Sequence, residues 1–222
     1  MEWVLGLYLL DREVDLQRTY TWLDSDFVST FSVQRQALYG ELGVPLNGLW
    51  KLSIGARLEQ HEADYADNAG VSFTPSDDLF GGRIRLERSY QSGALAYASF
   101  TQGYKSGGFN TSGTLDADLR LFDPETLWNV EVGYKATVFN DAGQLRVALF
   151  HMARSDVQIA TSIVRVRDDG SSEFIEFTGN AASGANQGVE VELDLALSER
   201  ASMSAGLGLL ETQYEDLSLI HI

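Results

Sequence analysis

Hydrophobic and polar residues alternate with a period of two along most of this chain. The clearest run is 129–138, where Val130, Val132, Tyr134, Ala136 and Val138 share one face and Asn129, Glu131, Gly133, Lys135 and Thr137 share the other. Residues 188–197 repeat it, with Val189, Val191, Leu193, Leu195 and Leu197 set against Gly188, Glu190, Glu192 and Asp194. Residues 52–59 do so again, with Leu52, Ile54, Ala56 and Leu58 set against Ser53, Gly55, Arg57 and Glu59. Successive side chains of a strand point to opposite faces, so each run predicts one half-buried strand. Noisier stretches at 2–13, 28–46, 81–90, 94–104, 144–158 and 201–214, with a short piece at 172–178 that fits a hairpin inside a loop, complete the set. The sum is about nine or ten strands, and no window of helical period has convincing length.

The connections differ systematically. Leu46-Asn47-Gly48-Leu49, Ser89 to Gly93, Asn140-Asp141-Ala142-Gly143 and Ser198-Glu199-Arg200 predict tight turns. Between them lie long polar stretches at 14–27, 60–80, 105–125 and 159–184. Short and long alternate, which puts the tight turns at one end of the sheet and the long loops at the other. Outer-membrane barrels have this asymmetry. A soluble β-sandwich also alternates, but its strands are usually shorter than the ten or so residues seen here. Mid-strand charges at Arg57, Glu131, Lys135, Glu190, Glu192 and Asp194 suit a wet lumen and equally the solvent face of a one-sided sheet. Trp3, Trp22, Trp50, Tyr90, Tyr104, Trp128 and Tyr134 tend to lie near strand ends, where an interfacial girdle places amphipathic rings and where strands favour aromatics anyway.

Composition narrows the partners. Among 222 residues, 16 Lys and Arg face 32 Asp and Glu for a net charge of −16, which would repel a phosphate backbone and excludes nucleic acid as an expected partner. Cysteine is absent, removing disulfides, thiolate metal sites and cysteine nucleophiles together. The hydrophobic share of 44% is that of a soluble protein, but a barrel with alternating faces averages to the same value. No apolar run is long enough for a transmembrane helix. The opening stretch Met1 to Leu10 lacks the basic region and cleavage site of a signal peptide.

Catalytic patterns are missing. There is no Ser/His/Asp order, no nucleophile elbow, and no ligand spacing among His61, His151 and His221, so the chain does not read as an enzyme and no cofactor or metal is expected. Gly103-Tyr104-Lys105-Ser106-Gly107-Gly108 lacks the spacing of a phosphate-cradling loop. Glu190 and Glu192 share a face as a glycosidase pair would, although lumen charge accounts for them more simply. Glu62, Asp64, Asp67, Asp77 and Asp78, with Asn68, make 60–80 an acidic stretch that could offer oxygen ligands to Ca²⁺, without regular spacing.

Specific wording adds to this pattern. Ala37 to Leu42, then Leu52 to Glu59, read as consecutive strands with a G-x-R-x-E ending. Phe100 through Asn110, with its core Gly103 to Asn110, is followed by Pro124-Glu125, Asn129, Glu131, Gly133 and Lys135. Asn180-Ala181-Ala182 then leads into Gly188-Val189-Glu190-Val191-Glu192. In this order and spacing the chain resembles the β-barrel of TonB-dependent receptors, the outer-membrane transporters of Gram-negative bacteria. The resemblance implies an all-β fold, an antiparallel transmembrane β-barrel segment cut from a barrel of about 22 strands whose lumen holds a plug. It covers 1–216, while 217–222 lose the alternation and fall outside the family pattern. Nothing resembles the plug, its energy-coupling box or the terminal aromatic residue, so an internal piece of a longer receptor is expected, inactive in transport by itself because its edge strands would be unpaired in lipid.

The same resemblance implies binding and gated import of a scarce ligand, a ferric siderophore first, with cobalamin or a glycan as others. The partners it implies are the TonB complex acting through a plug, and outer-membrane lipid. Tyr104, Lys105, Phe109 and Asn110, where a strand passes into a long loop, become candidates for ligand contact; shaping of the strand exit is the competing role. A non-TonB porin or secretion pore and a soluble β-sandwich binding module stay as alternatives.

Overall fold

The computed structural model describes residues 1–19, 21, 25–111, 115–180 and 183–214. Its long strands are β1 (Glu2–Arg18), β2 (Phe27–Pro45), β3 (Trp50–Asp67), β5 (Ser76–Ser89), β6 (Leu95–Lys105), β9 (Glu125–Val138), β10 (Gly143–Ser155), β13 (Gly184–Ser198) and β14 (Ala201–Tyr214). Short pieces are β4 (Ser72–Phe73), β7 (Gly108–Phe109), β8 (Leu121–Phe122), and the hairpin strands β11 (Gln158–Val166) and β12 (Ser172–Asn180). The long strands form one open sheet in the order β1-β2-β3-β5-β6-β9-β10-β13-β14, with β4 beside β3. All its pairings are antiparallel. β1 and β14 are the two edges, each with one neighbour.

The sequence-predicted strands are present, but several are longer than the alternation suggested. The start of the expected loop at 14–27 is strand, since β1 runs to Arg18, which pairs with Phe27 at the start of β2. The expected loop at 60–80 is also mostly strand, as β3 continues to Asp67 and β5 starts at Ser76. At roughly 3.3 Å per residue, the 19 residues of β2 extend roughly 60 Å, well beyond an apolar band of about 25 Å. Past Leu58 the exposed face turns polar, with Gln60, Glu62 and Asp64, while His61, Ala63 and Tyr65 on the other face are buried and backbone pairing continues. The expected strand 144–158 ends at Ser155 and resumes as β11 after Asp156, a non-glycine residue at φ 55°. The stretch 159–184 is not a plain loop, because β11 and β12 pair along its length. A 3-10 turn, Ala117–Leu119, lies in the connection between β7 and β8. Trp22, Ala181, Ala182, His221 and the tail 217–222 fall outside the described residues.

The tight turns lie where expected. Asn47 accepts the backbone N–H groups of Leu49 and Trp50 at 2.9 and 3.0 Å, while Gly93 takes φ 82° in the next turn at this end. At the opposite end Leu115, Ile175 and Phe177 form a small buried cluster, with Leu119 and Ile163 against it. The β11–β12 hairpin thus folds over the 115–120 connection and holds the long-loop end together.

Cross-strand partners on the sheet fit ring against glycine. Tyr39 lies opposite Gly6, Tyr97 opposite Gly133, and Phe150 opposite Gly188. In each case a Cβ on the glycine would collide with the ring. An aromatic laid over a strand glycine restores the packing that the glycine lacks.

Candidate functional site

The two faces of the sheet differ in chemistry. On one, Leu42, Ile54, Ile84, Phe100 and Val130 are successive cross-strand partners, and Val132, Leu149, Val189 and Leu209 form another such row. Most of these are exposed, Ile84 at 51% and Leu209 at 63%, and the Phe100 and Trp128 rings stack beside them at 5.0 Å. A broad apolar surface open in this way needs a non-aqueous neighbour. The other face carries the charges. Arg146 reaches Glu192 and Asp194 at 3.2 and 2.9 Å, and the Tyr97 hydroxyl donates to Glu131 at 2.7 Å. Arg85 and Lys135 lie over the Tyr97 ring, at 4.3 and 5.7 Å from its centroid. Of Glu190 and Glu192, which share this face, Glu192 is held by Arg146.

On the polar face, at the long-loop end, a cavity of about 680 Å³ is lined by Arg35, Arg57, Glu59, Tyr104, Lys105 and Gln158, among others. Arg57 and Glu59, two apart on β3, share a face, and Arg57 grips Glu59 Oε2 through Nε at 2.9 Å and through Nη2. Tyr104 completes the group, its hydroxyl lying 2.9 Å from both Arg57 Nε and Glu59 Oε2. With these partners the Glu59 side chain is only 4% exposed. Counting by twos from Phe100 would put Tyr104 on the apolar face. Pairing of β5 with β6 stops at Gly82↔Gln102, however, and the ring passes over Gly81, where a Cβ would stand 3.1 Å from it.

The four sequence candidates separate here. Tyr104 and Lys105 line the cavity. Phe109 packs among Phe31, Tyr65 and Phe73, with centroids 5.1 to 5.9 Å away. Asn110 ties backbone: its amide nitrogen donates to Leu119 O and Thr178 O at 3.0 and 2.8 Å, and its oxygen accepts from Thr178 N–H at 2.8 Å. Both place the loop and lie beside the cavity's lining, not in it.

Further latches hold the same segment. Asp77 accepts Gly107 N–H at 3.0 Å while facing the buried His61 at 3.4 Å. Gln158 donates to Ser106 O and Asp123 O, and Asn180 both donates to Asp123 O and accepts its N–H. The buried Glu125 is held by Arg154 and accepts Gln158 N–H at 3.0 Å. Arg35 and Gln158 escaped the sequence reading; the signal available was the polar run Gln34-Arg35-Gln36 inside an otherwise alternating strand.

The acidic stretch does not assemble as a cation site. Glu62 and Asp64 lie in β3, Asp77 and Asp78 in β5, and Asp67 accepts the Tyr65 hydroxyl and the N–H groups of Ala69 and Val71. Among the described residues no group of three or more His, Asp or Glu is placed to hold a metal. At the tip of the β11–β12 hairpin, the Ser171 hydroxyl and N–H donate to Asp169 at 2.6 and 2.9 Å, which holds this carboxyl below its ordinary value.

Known proteins share this fold. The sheet superposes on the ferric yersiniabactin uptake receptor FyuA from Yersinia pestis with a TM-score of 0.75 at 18% identity, covering 97% of this chain and 33% of that one. The alcaligin outer membrane receptor FauA from Bordetella pertussis gives 0.65 at 16%, covering 96% and 36%. The siderophore receptor PiuA from Acinetobacter baumannii gives 0.64 at 17%, covering 86% and 28%. The chain thus spans about a third of the length of these receptors. Residues 5–217 match the family described as TonB dependent receptor-like, beta-barrel. With nearly its whole length inside that match, the chain belongs to the TonB-dependent receptor family, through the β-barrel domain.

Proposed function

We propose that this chain forms part of the wall of an outer-membrane receptor that binds a scarce ligand, a ferric siderophore first, and imports it with energy transmitted by TonB through a plug. The observation that carries this reading is the pairing of an exposed apolar face with a charged face that holds a cavity at the long-loop end. The apolar face meets outer-membrane lipid, and the charged face lines the lumen. Unpaired edges are untenable in lipid, so β1 and β14 find partner strands in the assembled barrel. Tyr104 and Lys105 are the proposed ligand contacts, whereas Phe109 and Asn110 set the position of the loop that carries them.

Import in this reading belongs to the assembled receptor; the wall contributes binding surface and shape. The test is growth on ferric siderophores as the sole iron source, with and without the gene and with and without TonB. Growth that needs both, with the protein in the outer-membrane fraction, supports the reading. Passage of small solutes without TonB would make the protein a porin, and recovery in a detergent-free soluble fraction would overturn the membrane assignment.

A further inference from the structure

The geometry points to Arg35 as the receptor for an anionic group entering the lumen cavity, and so to a ligand that carries net negative charge. This deepens the uptake reading above and rests on it for the identity of the cargo. Arg57 and Glu59 cancel one another, and the Tyr104 hydroxyl completes the Glu59 Oε2 shell. Arg35 is left underused. Its Nη1 lies 3.9 Å from Glu59 Oε1, beyond hydrogen-bond reach, and its Nη2 makes one long contact of 3.4 Å to Ser106 Oγ. Its Nε is buried without a partner.

A guanidinium offers five donors in a planar fork suited to carboxylates and other paired oxygens. With the side chain 37% exposed, the Arg35 fork can still receive a ligand. Lys105 lines the same cavity from the end of β6 and adds a second positive charge. Of the latch carboxylates, Asp77 is turned to His61 and Gly107 N–H, and Glu125 is held by Arg154 and the Gln158 N–H. In a chain of net charge −16, the cavity is therefore a local cationic spot. Ser106 Oγ, touched by Arg35, opens the 106–124 connection, so an anion on Arg35 would also bear on the loop.

Binding to the purified receptor in detergent tests this with three probes: an anionic ferric tris-catecholate, a neutral ferric trihydroxamate of similar size, and citrate without iron. The expected result is preference for the anionic complex, weakened about ten- to hundred-fold by Arg35→Gln and restored in part by Arg35→Lys. Lys105→Gln, at an exposed strand end, should weaken the same probe less and serves as the variant that leaves β2 intact. Equal binding of the neutral complex, or loss of affinity for both complexes alike in Arg35→Gln, would overturn the anion site while leaving uptake in place. Arg35-dependent binding of citrate with no ferric complex bound would keep the site and sink the siderophore reading. Failure of every anion to bind the wild-type protein would overturn the site itself.

Discussion

The Tyr97 ring lies over Gly133, its direct partner on the neighbouring strand, while its hydroxyl reaches on to Glu131 at 2.7 Å. A methyl group at 133 would occupy the space of the ring. Gly133→Ala should therefore displace Tyr97 from Glu131, Arg85 and Lys135 and destabilise the sheet by about 1–3 kcal/mol. Urea unfolding in lipid vesicles measures it. Since the two residues share one space, Gly133→Ala in a Tyr97→Ala background should cost less than in the wild type; equal costs would contradict the packing.

Tyr104→Phe removes one hydroxyl from the Arg57–Glu59 group and nothing else. Hydrogen bonds to charged partners are worth about 1.5–3 kcal/mol, so a loss near the lower end is expected at this half-exposed site. Gly81→Val should mimic the change, because its side chain takes the place of the ring. A stable Gly81→Val protein that keeps the wild-type Tyr104 environment by fluorescence would refute the account.

Asn110→Ala leaves the Thr178 N–H without its acceptor and frees two carbonyls from their donor. An unsatisfied buried donor costs about 1–3 kcal/mol, and here the cost falls on one loop. Limited proteolysis should cut within the 106–124 connection faster in the variant, with the sheet surviving. Unchanged cleavage would mean that the other latches suffice.

Acid should release the hairpin tip late. The Asp169 carboxyl sits below its ordinary value of 3.8 because it accepts two bonds from Ser171, so its contribution is full above that value and lost as pH falls through the lower one. Protection of the Ser171 amide against exchange should therefore persist below pH 3.8. Loss of protection already above that pH would contradict the contact.

Much of the wall was legible because one face must be apolar and the other wet, which imposes a period of two at positions such as 129–138. Strand ends were not legible where that demand lapses. From Glu59 to Asp67 the side chains turn acidic, yet β3 keeps pairing with β2, since backbone hydrogen bonds ask nothing of the side chains. At the site, Tyr104 and Lys105 stood out by their place at a strand exit. Asn110 and Phe109 stood beside them with the same local signal, and only contacts with residues far along the chain, Thr178 or Phe31, assign them to packing. Arg35 was harder to see for the converse reason, since its one signal was the polar run Gln34-Arg35-Gln36, far from any strand exit.

The end of the β5–β6 ladder at Gly82↔Gln102 divides the upper wall into two panels. β5 stays with β3 up to Ser76, and β6 stays with β9 up to Lys105, so each panel is stiff by itself. Across the seam run side-chain stitches: Tyr104 to Arg57 and Glu59, Asp77 to Gly107, and Arg35 to Ser106. Stitches of this kind can be undone one at a time without breaking a backbone pair. The cavity lies on this seam, so whatever occupies it sits between two plates whose relative set is fixed by a few replaceable bonds.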